Sequence, residues 1–273
     1  MNGIYDTEKL GIIAGAGELP VLVAKNAVTQ GRKPIIIQIT KTDEQRFSGI
    51  PCETYSYGVG QIQKITQKLL DLNVKELVII GKIEPSILLR PFQVDATALK
   101  ILTQNRKQKP AALVLAVLEH FQNAGLSTLN QDHFLSHLLP DPGVLTKRKP
   151  NAAQWDDIKT GITTARQIAN MDIGQTVVLK NQIILAIEAI EGTDTTIQRG
   201  GDLGGKGVVV AKAASENHDF RIDVPTVGMQ TLERLHAVKG SVLAVEARRT
   251  FVMEPETLFE QADRWKISIV AVE

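Results

Sequence analysis

A chain of 273 residues, 43% of them hydrophobic, is long enough and apolar enough to fill the cores of two ordinary domains. Lys and Arg number 31 against 30 Asp and Glu, so the net charge of +1 supplies no field that would recruit nucleic acid, and no basic run interleaved with aromatics supplies a local one. Cys52 is the single cysteine, which excludes an intrachain disulfide and a cysteine-built zinc site and agrees with a reducing compartment.

The N-terminus, MNGIYDTEKLGIIAG, has neither the basic start nor the long apolar core of a secretory signal, and no uncharged apolar run reaches about 18 residues. A cytoplasmic protein is expected, with room for contact with a membrane surface. Short β-branched runs then alternate with helical patterns, as βαβ units do. "LGIIAG" (10–15), "PIIIQI" (34–39) and "KELVIIGK" (75–82) predict three buried parallel strands. Leu19, Leu22, Val23 and Val28 predict a helix between the first two, with Pro20 in its first turn. Ile62, Ile65, Leu69 and Leu70 predict another over 60–72, and further helices are expected over 94–105 and 110–124.

"LLPDPGVLTKRKPN" (138–151) gathers Pro, Gly and basic residues as an interdomain linker does. The expected division is a parallel-sheet domain of βαβ units over 1–140 and a second α/β domain over 141–273. In the latter, Ile158, Ile162, Ala165 and Ile168 predict a helix over 155–169. "TVVLKNQIILAIEA" reads as two strands around a turn at Asn181-Gln182. Later strands are expected at 207–212, 241–246 and 267–272, with helices near 230–238 and 255–264.

Two kinds of chemistry stand out. "GAGELP" (15–20) follows a strand and opens a helix, so its N–H groups and the helix dipole could receive a phosphate, although such glycines also serve simply to turn a chain. Its spacing is not the dinucleotide pattern, and "QITK" stands where an acid would end the second strand of a nicotinamide site. Lys82, after Gly81, lies at a strand end where open α/β sheets place ligands. The second kind is acidic. "IEAIEGTDTTIQRGG" (187–201) places Glu188, Glu191 and Asp194 beside Arg199 after an apolar strand. "HDFRIDVPT" (218–226) alternates, with Phe220, Ile222 and Val224 on one face and Asp219, Arg221 and Asp223 on the other. If extended, it spaces its carboxylates about 6–7 Å apart with a guanidinium between them. That suits Mg²⁺ beside a phosphate, while the plainer alternative is a surface ion-pair ladder. Lys212, Asp172 and Gln175 add polar groups. The five histidines show no HExxH, and no GxSxG elbow or Walker loop is present. His133 and His137 read as solvated or capping residues, and Cys52 as an incidental one.

The chain resembles the LpxI family of UDP-2,3-diacylglucosamine pyrophosphatases of lipid A synthesis. The likeness is carried by "GIIAGAGELP", "GK" at 81–82, "LLPDPGVLT", "DIGQTVVLKNQIILAIEAIEGTD", "DFRIDVPTVG" and "LFEQADRWKISIVAVE". It implies an N-terminal Rossmann-like parallel-sheet domain followed by a C-terminal mixed α/β domain, and Mg²⁺-dependent hydrolysis of a UDP-linked acylated glucosamine to UMP and 2,3-diacylglucosamine 1-phosphate, by water attack on the sugar-side phosphorus. It further implies acids Glu188, Glu191, Asp194, Asp219 and Asp223, with Asp223 the essential one, and Arg199, Lys212 and Arg221 as stabilisers of developing charge. Metal ligation falls to Glu188, Glu191, Asp194 and Asp223. Substrate binding falls to Gly15, Ala16, Gly17, Leu19, Pro20, Gly81, Lys82, Asp172, Gln175, Thr193, Arg199 and Lys212. A homodimer and transient contact with the inner membrane surface fit the same expectation. The chain departs from the family pattern at "IEP" after "GK", with Arg90 further on, at "SENH" before Asp219 and at Ala247-Arg248. Two rivals are a noncatalytic nucleotide-sugar binding module, in which the acids would be dispensable, and an NAD-type oxidoreductase.

Overall fold

A computed structural model describes residues 8–40, 44–83, 94–105 and 110–273. It is α/β throughout and divides into two compact units. The first comprises 1–135 together with Asp219–Asp223, and the second comprises 136–218 with 224–273. Arg90 and the "EP" that follows Ile83 lie outside the described residues.

The first unit is built on five parallel strands: β1 (Lys9–Ala14), β2 (Lys33–Gln38), β3 (Glu53–Ser56), β4 (Glu76–Ile80) and β5 (Ser127–Thr128), in the order β3-β2-β1-β4-β5. Its central strands are apolar on both faces, as a sheet covered on both sides requires. Ile12 lies between Ile36 and Val78, all three with no exposure. Helix α1 (Leu19–Thr29) packs on β1 and β2 and carries Pro20 in its first turn, where a missing N–H costs nothing. Ile65 and Leu69 of α2 (Ile62–Asp71) pack with Ile13, Ile35, Ile37 and Leu77. Phe121, from the helix Pro110–Asn123, joins the same cluster, while Ala98 and Ile101 of the helix Ala96–Gln104 pack on Ile62. In chain order the latter two helices are α4 and α3. Asp95 caps α3, accepting from the Ala98 N–H at 2.9 Å.

The second unit holds a six-stranded sheet in the order β6-β13-β11-β9-β7-β8. These strands are β6 (Gly143–Val144), β7 (Thr176–Lys180), β8 (Ile183–Ile187), β9 (Val209–Lys212), β11 (Val242–Glu246) and β13 (Ser268–Val272). The middle three are parallel, and both margins are antiparallel. A small parallel pair, β10 (Thr226–Val227) and β12 (Phe251–Val252), stands apart. One sheet face is covered by Ile158, Ile162, Ala165 and Ile168 of α5 (Ala152–Asn170). The other is covered by α6 (Thr193–Gly204), α7 (Met229–Ala237) and α8 (Pro255–Arg264) through Ile197, Leu232, Leu235, Leu258 and Ala262.

Local chemistry sets the details. A capping box between Asn151 and Gln154, each side chain accepting the other's N–H at 2.9 Å, starts α5 three residues before the apolar stripe suggests. Asn181 and Gln182 sit at φ 52° and 65°, the paired positive values of a two-residue hairpin turn. Buried Asp157 of α5 takes both of their N–H groups, at 3.0 and 2.6 Å. The proline-rich stretch expected to be a linker contributes β6 to the sheet instead, Val144 pairing with Val270. The pairing of β7 with β8 is irregular, its register shifting between Val178 and Leu179. No helix among the described residues is long and apolar enough to cross a membrane.

Candidate active-site elements

In the first unit the loops after β1 and β4 are tied to each other. Gly15 N–H donates to Ile80 O and Ala16 N–H to Lys82 O, both at 2.8 Å, and Lys82 N–H returns to Ala16 O at 2.9 Å. A Cβ on Gly15 would lie 2.6 Å from Gly81 O, and one on Gly81 (φ +99°) would lie 2.8 Å from both Ala16 O and Pro20 Cγ. Glycine is required at both positions for backbone-to-backbone approach. The expectation that the whole loop offers its N–H groups to a phosphate is therefore corrected. Those of Gly15 and Ala16 are already bonded, and Gly17 and the start of α1 at Leu19 form the open part, with Gly17 and Lys82 exposed.

The segment Asp219–Asp223 packs with this first unit, where Gln131 fastens it. The Gln131 backbone N–H donates to Phe220 O, and its side-chain amide donates to Ile79 O beside the end of β4, both at 2.8 Å. The extended alternation expected here does not form. Ile222 N–H closes a turn on Asp219 O at 3.0 Å, while Arg221 N–H bonds the Asp219 carboxylate at 3.0 Å, as short acidic side chains do in turns. The Arg221 guanidinium grips the same carboxylate through Nε at 2.9 and 3.1 Å and Nη2 at 2.6 Å, and this raises the Arg221 pKa. Asp219 and Arg221 are thus paired with each other, so two residues expected to flank a phosphate neutralise one another. Asp223 closes the segment at φ +45°, a left-handed conformation that Asp adopts more readily than most residues.

In the second unit, the expected acidic loop is largely a helix. α6 starts at Thr193, its N-cap Gly192 at φ +81°, and Asp194 lies in its first turn, where the dipole favours a carboxylate. Glu188, only 9% exposed, spends its oxygens locally. Oε1 accepts from Thr193 Oγ1 at 2.8 Å, and Oε2 accepts from the Gln175 N–H at 3.2 Å. The Thr193 hydroxyl in turn accepts from Lys212 Nζ at 3.0 Å, so the buried lysine at the end of β9 is linked to the carboxylate through one hydroxyl. Asp172 sits at φ +56° in the turn before β7, and Gln175 O accepts from Ala213 N–H at 3.0 Å. Gly174 touches the same assembly, since a Cβ there would lie 2.2 Å from Glu188 O. Gly174→Ala should therefore cost about 1–3 kcal/mol by overpacking, read as a lowered urea midpoint. An unchanged midpoint would mean that this contact is loose.

Glu191 and Asp194 face other partners. Arg199 Nη2 donates to Glu191 Oε1 at 2.6 Å and to Ile187 O at 2.8 Å, and Asp194 Oδ2 accepts from Gln230 Nε2 at 2.7 Å. The Glu191 carboxyl is held below its ordinary range by its own N–H first and by Arg199 second. A depressed folded pKa means that this stabilisation is present above the unfolded pKa and is lost as pH falls through the folded one. Arg199→Ala should raise the Glu191 pKa part of the way back. Carboxyl-carbon NMR titration reads this, and an unmoved titration would assign the whole depression to the backbone.

Glu188, Glu191 and Asp194 thus address three separate sets of donors. Among the described residues no group of three or more His, Cys, Asp or Glu is placed to hold a metal ion. As they stand, the three acids of this unit do not fit a shared Mg²⁺. Cys52 is half-buried, and burial pushes its thiol pKa up, away from a nucleophile's. Sequence reasoning passed over Glu246 and Arg46. Glu246 ends β11 buried among arginines, and Arg46 stands next to the open end of the glycine loop. Neither belongs to a motif, and only a tertiary contact reveals them.

Comparison with known proteins places the chain. A curated relative from Caulobacter vibrioides, named UDP-2,3-diacylglucosamine pyrophosphatase LpxI, is 28% identical over 280 aligned positions, covering 97% of this chain and 98% of that protein. Solved structures show only local likeness. The Bordetella bronchiseptica enzyme WbmG in complex with NAD is 14% identical over 46% of this chain and 37% of its own, with a TM-score of 0.31. The biotin carboxylase subunit of pyruvate carboxylase is 10% identical over 73% and 42%, at 0.29. The family profiles span both halves: the LpxI N-terminal domain matches residues 9–138 and the LpxI C-terminal domain matches 141–270, so this chain belongs to the LpxI family.

Proposed function

We propose that this chain hydrolyses the pyrophosphate bond of UDP-2,3-diacylglucosamine, releasing UMP and 2,3-diacylglucosamine 1-phosphate in lipid A synthesis. The observation that carries the reading is the end-to-end match with the relative bearing that activity in its name, 97% of one chain against 98% of the other. Water adds to the sugar-side phosphorus, the bond from that phosphorus to the bridging oxygen breaks, and the bridging oxygen leaves with UMP. Such a displacement asks the protein chiefly to position groups and balance charge. In this reading Asp223 orients the water and accepts its proton. Lys212, donating to the Thr193 hydroxyl that in turn donates to Glu188, is the buried positive charge of the second unit that meets developing negative charge in this reading. Arg199 and Arg221 each already have a carboxylate partner within their own unit, which leaves charge stabilisation to Lys212.

Magnesium dependence is part of the proposal. Mg²⁺ ordinarily takes one or two carboxylates together with water and substrate phosphates, so it does not require a preformed set of three acids. The reading also places the protein in the cytoplasm, in transient contact with the inner membrane surface where a diacylated substrate resides, and as a homodimer. Incubation with the substrate, with and without EDTA, tests it: magnesium-dependent release of UMP supports it, and binding of the substrate without turnover would favour the nucleotide-sugar binding module.

A further inference from the structure

We infer that Arg46 is a phosphate-binding residue at the open end of the glycine loop, receiving a phosphate of the nucleotide part of the substrate. The inference rests on the pyrophosphatase reading for the identity of the nucleotide, and on the first unit alone for the site.

Arg46 lies in the short helical turn Glu44–Phe47 that comes after β2, on the carboxyl edge of the parallel sheet. Ligands of open α/β sheets collect along that edge. Its guanidinium is anchored from two sides. Nη1 donates to Gly17 O at 3.2 Å, and the carbon of the group lies 4.8 Å from the centre of the Phe47 ring. The other two nitrogens, Nε and Nη2, are shut off from solvent and have no hydrogen-bond partner among the described residues. A charged donor in that position costs free energy until an acceptor arrives, and the burial lowers the Arg46 pKa, in the direction of a strained cation.

The two unpartnered nitrogens are adjacent. Nε and Nη2 form the edge of guanidinium that meets the two oxygens of a phosphate in parallel bonds. Their neighbour in the fold suits the same ligand. Gly17 at φ +91° has nothing within 4 Å of where a Cβ would stand, and α1 begins two residues later, its N-cap Glu18 making no side-chain cap and its first turn holding no acid. The helix dipole puts its positive end there with backbone N–H groups left uncapped, and the loop that presents it is the one Arg46 touches. Thr40, beyond the end of β2, adds a buried hydroxyl without a partner among the described residues after the same strand. A phosphate would satisfy the guanidinium edge that the protein leaves unpaired. Because both nitrogens are covered, its entry must displace the groups that cover them.

The test is calorimetric titration of the whole chain with UMP, uridine and inorganic phosphate, in wild type, Arg46→Ala and Arg46→Lys. The expected result is a loss of about tenfold or more in UMP affinity in R46A, with uridine affinity unchanged. R46K should recover less than half of the loss in free-energy terms, because an ammonium cannot present two parallel donors. Loss of phosphate affinity alone, with UMP affinity retained, would assign Arg46 to a free anion and overturn the inference, as would a UMP change below twofold or a parallel loss of uridine. Should R46A fail to fold, R46K and Arg46→Gln supply the same comparison. Turnover of UDP-2,3-diacylglucosamine is scored separately on the wild type. Its absence sinks the pyrophosphatase reading, while Arg46-dependent UMP binding would leave the phosphate contact standing.

Discussion

Asp223→Asn should slow UMP release from UDP-2,3-diacylglucosamine by about 10²–10⁴-fold, the range expected when a positioned proton acceptor is removed. Asparagine is the informative replacement. Asp223 sits at φ +45°, and Asn tolerates that conformation as Asp does, whereas Ala adds a backbone penalty of roughly 1–2 kcal/mol that would blur the result. A left-handed residue persists where its surroundings hold it. Here they include the turn closed by Ile222 N–H on Asp219 O and the Gln131 bond to Phe220 O. If D223N keeps its urea midpoint and loses its rate, the carboxylate does chemistry. A folded D223N within threefold of the wild-type rate would remove Asp223 from that role.

Glu246→Ala should cost about 3 kcal/mol of stability, the low end of the penalty for removing one partner from a buried ion pair. Glu246 is 2% exposed at the end of the central strand β11. Its Oε1 accepts from Arg166 Nε at 3.0 Å and Nη2 at 2.7 Å. Its Oε2 accepts from the Ala214 N–H at 2.9 Å, with Arg249 Nε at 3.3 Å. Alanine strands two guanidinium groups and one buried N–H. Because Arg249 also bonds Ser215 O and Glu216 O, the chain leading toward His218 loses an anchor. Glu246→Gln keeps an acceptor without the charge and should recover less than half of the loss. A urea midpoint equivalent to under 1 kcal/mol for E246A would show that Arg166 and Arg249 find water instead.

The central strands of both units were readable because buried parallel strands leave continuous β-branched runs, and IIIQ or VVVA admits little else, whereas the short strands β3, β5, β6, β10 and β12 leave no such run. Helices with an apolar stripe were readable for the same reason. α6 was not. "TDTTIQRGGDLG" carries three glycines and three threonines in twelve residues, a composition that argues against a helix. It is a helix because Gly200 lets it approach β7 closely, since a Cβ there would stand 2.5 Å from Val178 Cβ. Tertiary packing overrides propensity at that position. The segment 218–226 failed in the opposite way. Its alternation suggested a strand, but the Asp219 side chain takes the Arg221 N–H in a local turn, and only Thr226 at its end joins a ladder, with Phe251. Of the candidate site, the partners of its side chains were not legible. Glu191 and Arg199 were correctly placed near each other, yet only the folded chain shows that they bond each other. Arg46 and Glu246 carry no signal in a single sequence because their significance lies in their surroundings.

The central claim is hydrolysis at the pyrophosphate, and the most direct measurement is mass spectrometry of the products formed from UDP-2,3-diacylglucosamine in ¹⁸O-water with magnesium. UMP without label and 2,3-diacylglucosamine 1-phosphate carrying one ¹⁸O are the expected products. Intact substrate, or UDP with a free acylated sugar, would contradict the account.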